Sequence, residues 1–197
     1  MSVKIAFWSM EPSCHTRENM FLMASLLAKK KPEFSIVVQR DTGWKCIFEG
    51  GKERIIFADC GCGRDKKIQN SLRSADLVVV SVQSYQNEWE NIRYDFKLKP
   101  KKVLYLIEGY ALHAQHMRAE MEHTYRIASE QIGYVPQNSE LEWASEQGHL
   151  ENFAERWRRT SRSEQNNNFF GEMEHNLFLL IRQLEQKENG GYQLWNR

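Results

Sequence analysis

The chain has 197 residues, 41% of them hydrophobic and 27% charged, and its 27 basic and 26 acidic side chains leave a formal net charge of +1. That length can bury a layered core, and the near-zero charge excludes a global field that would draw the chain to nucleic acid or an anionic membrane. No run approaches the roughly 18 apolar residues of a membrane span, and four cysteines are too few for a disulfide framework at this size. The N-terminal stretch Met1–Trp8 is too short in apolar length for a secretory signal, so a cytoplasmic protein with reduced thiols is expected.

In chain order, short apolar runs alternate with longer amphipathic stretches, the pattern of βαβ units around a mostly parallel sheet. Val3–Trp8 is the first run. The helix expected over Arg17–Lys31 carries Met20, Met23, Ala24 and Leu27 at helical spacing. Phe21, Leu22 and Leu26 fill the opposite side, so it should be buried more than most. Lys29–Lys31 complement its dipole and Pro32 ends it. Phe34–Val38 is the second run. Trp44–Phe48 and Arg54–Ala58 flank Glu49-Gly50-Gly51-Lys52, a predicted hairpin with the glycines at its turn.

Lys66–Ser74 and Gln86–Phe96 read as helices, Leu77–Val82 and Lys102–Ile107 as buried strands, and about Leu112–Gln131 as a long helix. A weaker strand covers Ile132–Val135. The last third is helical and polar, and its best segment, Phe169–Leu184, places Phe170, Met173, Leu177, Leu180, Ile181 and Leu184 on one apolar stripe suited to a core. Arg162–Asn168 reads as a loop and Glu188–Arg197 as a frayed tail. The fold expected is a three-layer α/β domain over residues 1–187, with a mostly parallel, doubly wound sheet and a tail over 188–197.

Ligands in such folds gather at the carboxyl ends of the strands, beside helix N-termini. The first strand-to-helix loop is Ser9-Met10-Glu11-Pro12-Ser13-Cys14-His15-Thr16-Arg17-Glu18. A phosphate cradle needs glycines that bring backbone N–H groups to the ligand, a lysine for charge and a Ser/Thr for magnesium. This loop has neither Gly nor Lys. Pro12 removes a donor and Glu11 adds a negative charge where phosphate would sit. By its residues alone it is a poor anion site.

Ile5–Ala28 resembles the first strand, loop and helix of the MinD/ParA P-loop ATPases, whose deviant Walker A reads roughly K-G-G-x-G-K-T. Overlaid without gaps, Glu11 stands for the signature lysine and Thr16 for the Walker lysine. Pro12, Ser13 and His15 replace the glycines, and Arg17 replaces the magnesium-binding Thr. Ile55–Gly63 resembles the Walker B strand and its switch, with Asp59 as the carboxylate. Ser74–Val82 is similar to the family's "ADLVVV" strand. Lys102–Tyr110 is similar to the strand that ends in a base-recognising Asn, here Glu108, and Ile132–Pro136 with Glu140–Gly148 to the late "IPYD…A…G" segment. The family's catalytic Asp falls near Gln39, with Asp41 as the neighbouring carboxylate, and the link from Asp41 to Asp59 is shorter than is typical.

The resemblance thus implies a P-loop NTPase-like fold with a degenerate nucleotide site. Its residues would be Ser9, Glu11, Ser13, His15, Thr16, Arg17, Asp41 and Asp59. Each charge-assisted phosphate contact contributes about 1.5–3 kcal/mol, so losing two lysines and several N–H donors removes most of the affinity. The expectation is a non-catalytic scaffold or positioning protein with no cofactor, acting through a protein partner. The analogy is to degenerate MinD-like members of pilus and secretion systems. The family's face-to-face pairing also leaves a homodimer open. The alternative is an ATPase holding ATP and Mg with Arg17, Thr16 and Asp59.

Rival readings attach to four other features. Cys14 and His15 on the first loop and Cys60 and Cys62 after the Walker B-like strand would suit zinc or iron if they converged, against cysteines lining a disused pocket. Cys14 at a helix N-terminus is also a candidate nucleophile, with no base beyond His15. His113 and His116, with His123 further on, lack a third ligand and read as a solvated helix face. Arg156, Arg158, Arg159 and Arg162 around Trp157 form a basic cluster that Glu151, Glu155 and Glu164 largely cancel, so no nucleic-acid surface is expected. Gly190–Trp195 offers aromatic residues but no amphipathic helix of the kind that anchors MinD to membranes.

Overall fold

Alternate residues of a single strand belong to different cores in this protein. Val3, Ile5 and Phe7 join one buried cluster, whereas Ala6 and Trp8 join another. The same alternation separates Leu77 and Val79 from Val78, Val80 and Val82, and Leu104 and Leu106 from Val103, Tyr105 and Ile107. Side chains alternate along a strand, so a strand apolar at every position must be covered on both faces. That requirement yields three layers.

The structure, a computed structural model, describes residues 2–9, 11–40, 43–84, 103–159 and 167–185. The strands are β1 (Ser2–Ser9), β2 (Ser35–Arg40), β3 (Gly43–Phe48), β4 (Arg54–Cys62), β5 (Leu77–Gln83), β6 (Val103–Gly109) and β7 (Ile132–Pro136). The helices are α1 (Thr16–Lys30), α2 (Lys66–Arg73), α3 (Ala111–His123), α4 (Ser139–Glu146), α5 (Leu150–Arg159) and α6 (Asn167–Glu185). The sheet runs β3-β2-β4-β1-β5-β6-β7. Every pairing is parallel except β2 with β3. Side chains from α1, α4, α5 and α6 fill the core on one face, and those from α2 and α3 fill the other. This is the three-layer, mostly parallel α/β sheet expected from the sequence.

Helix α1 is the centre of its layer. Every residue from Asn19 to Ala28 is buried, because the sheet lies on one side and α5 and α6 on the other. A helix apolar nearly all round demands such a place. Phe7 and Phe57 stack beneath this layer with ring centroids 5.6 Å apart.

The predicted Trp44–Phe48/Arg54–Ala58 hairpin does not form. Instead β3 folds back on β2, antiparallel, and β4 inserts between β2 and β1. The glycines serve a different purpose. Gly51 N–H donates to the Glu33 carbonyl at 2.9 Å, and Ser35 Oγ donates to the Gly51 carbonyl at 2.9 Å. A Cβ on Gly50 would stand 2.4 Å from the Phe34 carbonyl oxygen, and one on Gly51 2.3 Å from that of Glu33. The pair allows two stretches of backbone to lie against each other.

Two other boundaries differ from expectation. The helix expected to run to Gln131 ends at His123. Arg126 takes a left-handed conformation (φ 56°), and the Ile127 N–H then bonds the Met121 carbonyl at 3.0 Å as Ile127 turns inward to the core. Helix α6 begins at Asn167, so Asn167 and Asn168 are not loop. The rest of that expected loop, the helix expected over Gln86–Phe96, the tail over 188–197 and Asp41 lie outside the described residues. The α6 stripe packs as expected. Met173, Leu177 and Leu180 are buried, Phe170, Ile181 and Leu184 partly so, and Phe169 and Leu179 join them.

Strand β7 is an edge of the sheet as described, and a side chain of α6 bonds to its outer side. Asn176 of α6, fully buried, accepts the Tyr134 N–H at 3.1 Å and donates to the Tyr134 carbonyl at 2.7 Å. Gly133 makes the space, since a Cβ there would meet Asn176 Oδ1 at 2.3 Å. No helix among the described residues is long and apolar enough to cross a membrane.

Two glycine substitutions separate these roles. Gly51→Ala must push backbone and is expected to cost about 1–3 kcal/mol. Gly171→Ala, on an exposed position of α6 with nothing near its would-be Cβ, is expected to stabilise by about 0.5–1 kcal/mol. Urea unfolding of both variants measures the contrast.

Candidate functional site

The strand alternation that separates the two cores also aims polar residues at one point. Ser81 and Gln83 follow Leu77 and Val79 on the α1 face of β5, and Glu108 follows Leu104 and Leu106 on the α1 face of β6. All three sit at the carboxyl ends of their strands, where α1 begins. Glu108 is only 3% exposed.

Its carboxylate meets donors on every side. The His15 N–H donates to Glu108 Oε2 at 2.8 Å, and the His15 ring Nδ1 lies 3.1 Å from the same oxygen. Asn19 Nδ2 donates to Oε1 at 2.7 Å, and Gln83 Nε2 approaches Oε2 at 3.4 Å. His15 is the N-cap residue of α1 and makes no side-chain cap bond to the helix itself. Glu108 thus places an internal negative charge at the positive end of α1, the position where a phosphate would bind in a working cradle. A cleft of about 30 Å³, room for one water-sized group, remains beside it.

The first loop is held by the same strand ends. Gln83 Nε2 donates to the Ser13 carbonyl at 2.9 Å, Cys14 Sγ lies 3.5 Å from the Ser81 carbonyl, and Ser9 Oγ donates to the Glu11 carbonyl at 2.8 Å. After β4, the Gly63 N–H donates to the Ser9 carbonyl at 3.2 Å and Trp8 Nε1 donates to the Gly63 carbonyl at 2.8 Å.

The residues singled out in the sequence are only partly brought together. His15 joins the Glu108 network directly and Ser13 through Gln83, whereas Ser9 Oγ donates to the Glu11 carbonyl outside it. Thr16 is buried with Oγ1 unpartnered, while Arg17 points to solvent. Asp59 turns onto its own loop and accepts the Gly61 N–H at 3.0 Å. Gln39 lies in β2, paired with β4.

The four candidate metal ligands do not converge. Phe57 packs in the α1-side core, so alternation sends Cys60 to the other face. There its Sγ lies 3.4 Å from Ser71 Oγ of α2. Cys62 is exposed. Among the described residues no group of three or more His, Cys, Asp or Glu is arranged to hold a metal. Cys14 is no activated thiol either. Burial, then the charges of Glu108 and Glu11, push its pKa well above the ordinary range, against the lowering effect of a hydrogen bond with the Gln83 backbone. His113, His116 and His123 are exposed, and Arg156 pairs with Glu140 at 3.3 Å. The side chains of residues 157–159 and 162 lie outside the described residues.

Sequence reasoning noted Glu108 as a replacement but not its destination. It missed Asn19, Ser81 and Gln83. The signal was available, because Ser81 and Gln83 are polar residues on the α1 face of an otherwise apolar strand and Asn19 is a polar residue opening the fully buried run of α1.

No protein-family model matches this chain, and no curated protein matches it. Among solved structures it is similar to Era in complex with MgGDPNP and nucleotides 1506–1542 of 16S ribosomal RNA. The TM-score is 0.43 and the identity 14%, over 78% of this chain and 56% of that one. The chain therefore spans little more than half of that structure's length, and the likeness concerns the fold alone. The architecture itself is a three-layer, mostly parallel α/β sheet in which β1 lies between β4 and β5.

Glu108→Leu leaves the His15 N–H and Asn19 Nδ2 without their acceptor and is expected to cost about 1–3 kcal/mol for each. Glu108→Gln keeps one acceptor and should cost less. The pH dependence has a definite sign. The hydrogen bond to Glu108 raises the His15 pKa above its ordinary 6.5, against the opposing effect of burial. A raised folded-state pKa stabilises fully below 6.5, and that stability is lost as pH rises through the folded value. The ring is 40% exposed, so screening limits the contribution to at most about 1 kcal/mol. Urea midpoints measured across neutral pH should fall in the native chain and lose that slope in His15→Asn.

Proposed function

We propose that this chain is a non-catalytic scaffold on the P-loop NTPase plan, related in design to the MinD/ParA proteins and acting through contacts with a protein partner. The observation that carries the reading is the Glu108 carboxylate at the N-terminus of α1. A phosphate brought to that position would meet a buried like charge rather than an array of donors. The cleft beside Glu108 holds about 30 Å³, against the roughly 300–1,000 Å³ of ordinary small-molecule pockets.

Ser9, Glu11, Ser13, His15, Thr16, Arg17 and Asp59, with Asp41, are on this reading what remains of a nucleotide site. A positioning role in the cytoplasm, in a pilus, secretion or cell-organisation system, suits such a protein, and so does pairing into a homodimer. Exposed Tyr110, Leu112, Trp143 and Phe178, each more than half accessible, support a role in protein contacts. So does a groove of about 450 Å³ between α4 and α5, where Trp143 stands edge-on to His149 and Arg156 lies over Phe153.

Thermal unfolding with Mg-ATP and Mg-GTP tests the reading. A nucleotide held at 100 times its Kd would add about 2.7 kcal/mol, a rise of roughly 5–10 °C in Tm for a chain of this size. The expected rise is below about 1 °C. A larger rise that disappears in Arg17→Ala or Asp59→Ala would sink the scaffold reading and establish the alternative, an ATPase that uses Thr16, Arg17 and Asp59 with Mg.

A further inference from the structure

The cleft beside Glu108 has a one-sided chemistry. The donors around Glu108 are already used: Asn19 Nδ2 by Glu108 and Ser81, Gln83 Nε2 by the Ser13 carbonyl, and the His15 N–H by Glu108. What remains of these groups are acceptors, while the His15 ring and the amides of Gln137 and Asn138 also line the cleft. Asn19 lines the cleft and is completely buried, yet its Oδ1, which can only accept, has no partner. The amide cannot be turned to relieve this, because Oδ1 would then face the Glu108 carboxylate. A buried acceptor without a donor costs about 1–3 kcal/mol, so the group that supplies the donor is part of the site.

Carboxylates outnumber the one cationic group, the His15 ring. Glu108 forms the floor and the half-buried Glu142 lines the mouth. Glu18, tied to Ser145 Oγ, lies nearby, and all three carboxylates hold the His15 ring toward its charged form. A small, positively charged, donor-rich ligand matches the Asn19 acceptor and the carboxylates. A primary ammonium is water-sized and presents three donors.

We propose that this cleft binds one primary ammonium group, either the end of a lysine side chain from a protein partner or a small free amine. The proposal rests on the reading that Glu108 closes the nucleotide position. It gives the partner contact a chemical class.

The full chain, labelled with ¹⁵N, is titrated at neutral pH with methylammonium chloride, with trimethylammonium and sodium chlorides as controls. Nα-acetyl-lysine methylamide is titrated against its norleucine counterpart. Methylammonium is expected to shift the Asn19 side-chain amide and the His15 amide saturably, with Kd on the order of millimolar. Trimethylammonium, whose methyl groups replace donors and exceed the space, should bind at least about tenfold more weakly. Glu142→Gln is expected to weaken binding about fivefold. It keeps the proposal testable if Asn19→Leu, which should abolish binding, also unfolds the chain by releasing Glu108.

Response to the lysine derivative but not to norleucine supports a partner's lysine; response to methylammonium alone supports a free amine. A response no stronger than that to sodium or trimethylammonium means that the cleft holds water, and overturns the proposal. Mg-ATP is added in a separate arm: if it binds, the closure reading fails whatever the amines do.

Discussion

A buried carboxylate at the end of β6 is the constraint around which the rest of the site is arranged. Taking Glu108 out of water is tolerable only if donors replace its hydration. Those donors come from three places: the backbone and ring of His15, the amide of Asn19 one turn into α1, and the amide of Gln83 on β5. The carboxylate therefore joins two adjacent strands to the N-terminus of α1. The α1 dipole and the His15 ring lower its cost further, because both present positive potential to it.

The same arrangement explains why the first loop dispenses with glycine. A phosphate loop wraps its ligand with backbone, which requires residues without side chains. Here the anion is covalently part of the protein and comes from the opposite direction, so the loop need only offer His15 and can carry Pro12, Ser13 and Cys14. Its Ser13 carbonyl is spent on Gln83, and its Cys14 thiol rests on β5.

Much of this was legible in the sequence. Strands with no polar alternation announced a sheet covered on both faces, and a helix apolar all round announced the central position of α1. The expected hairpin failed because a Gly-Gly pair signals either a turn or a close approach of two backbones, and only the tertiary contact with residues 32–35 decides between them. The overlong helix failed because amphipathic spacing persists past His123, while the left-handed Arg126 that ends it has no marker residue. The site was half legible. Glu108, Ser81 and Gln83 could have been placed on one face by counting alternate positions from Leu106 and Val79. Their meeting with Asn19 needed the distance between β6 and α1, which no local pattern carries.

The Asn176 clasp on β7 has a bearing on how the molecule opens. Because one amide satisfies both the N–H and the carbonyl of Tyr134 on the outer side of an edge strand, undocking α6 would uncover apolar core and strip the sheet's last strand of its cover together. An uncovered edge is a template for another chain. Release of the C-terminal helix is therefore the opening that would expose this protein to strand-to-strand self-association, and a single asparagine couples the two events.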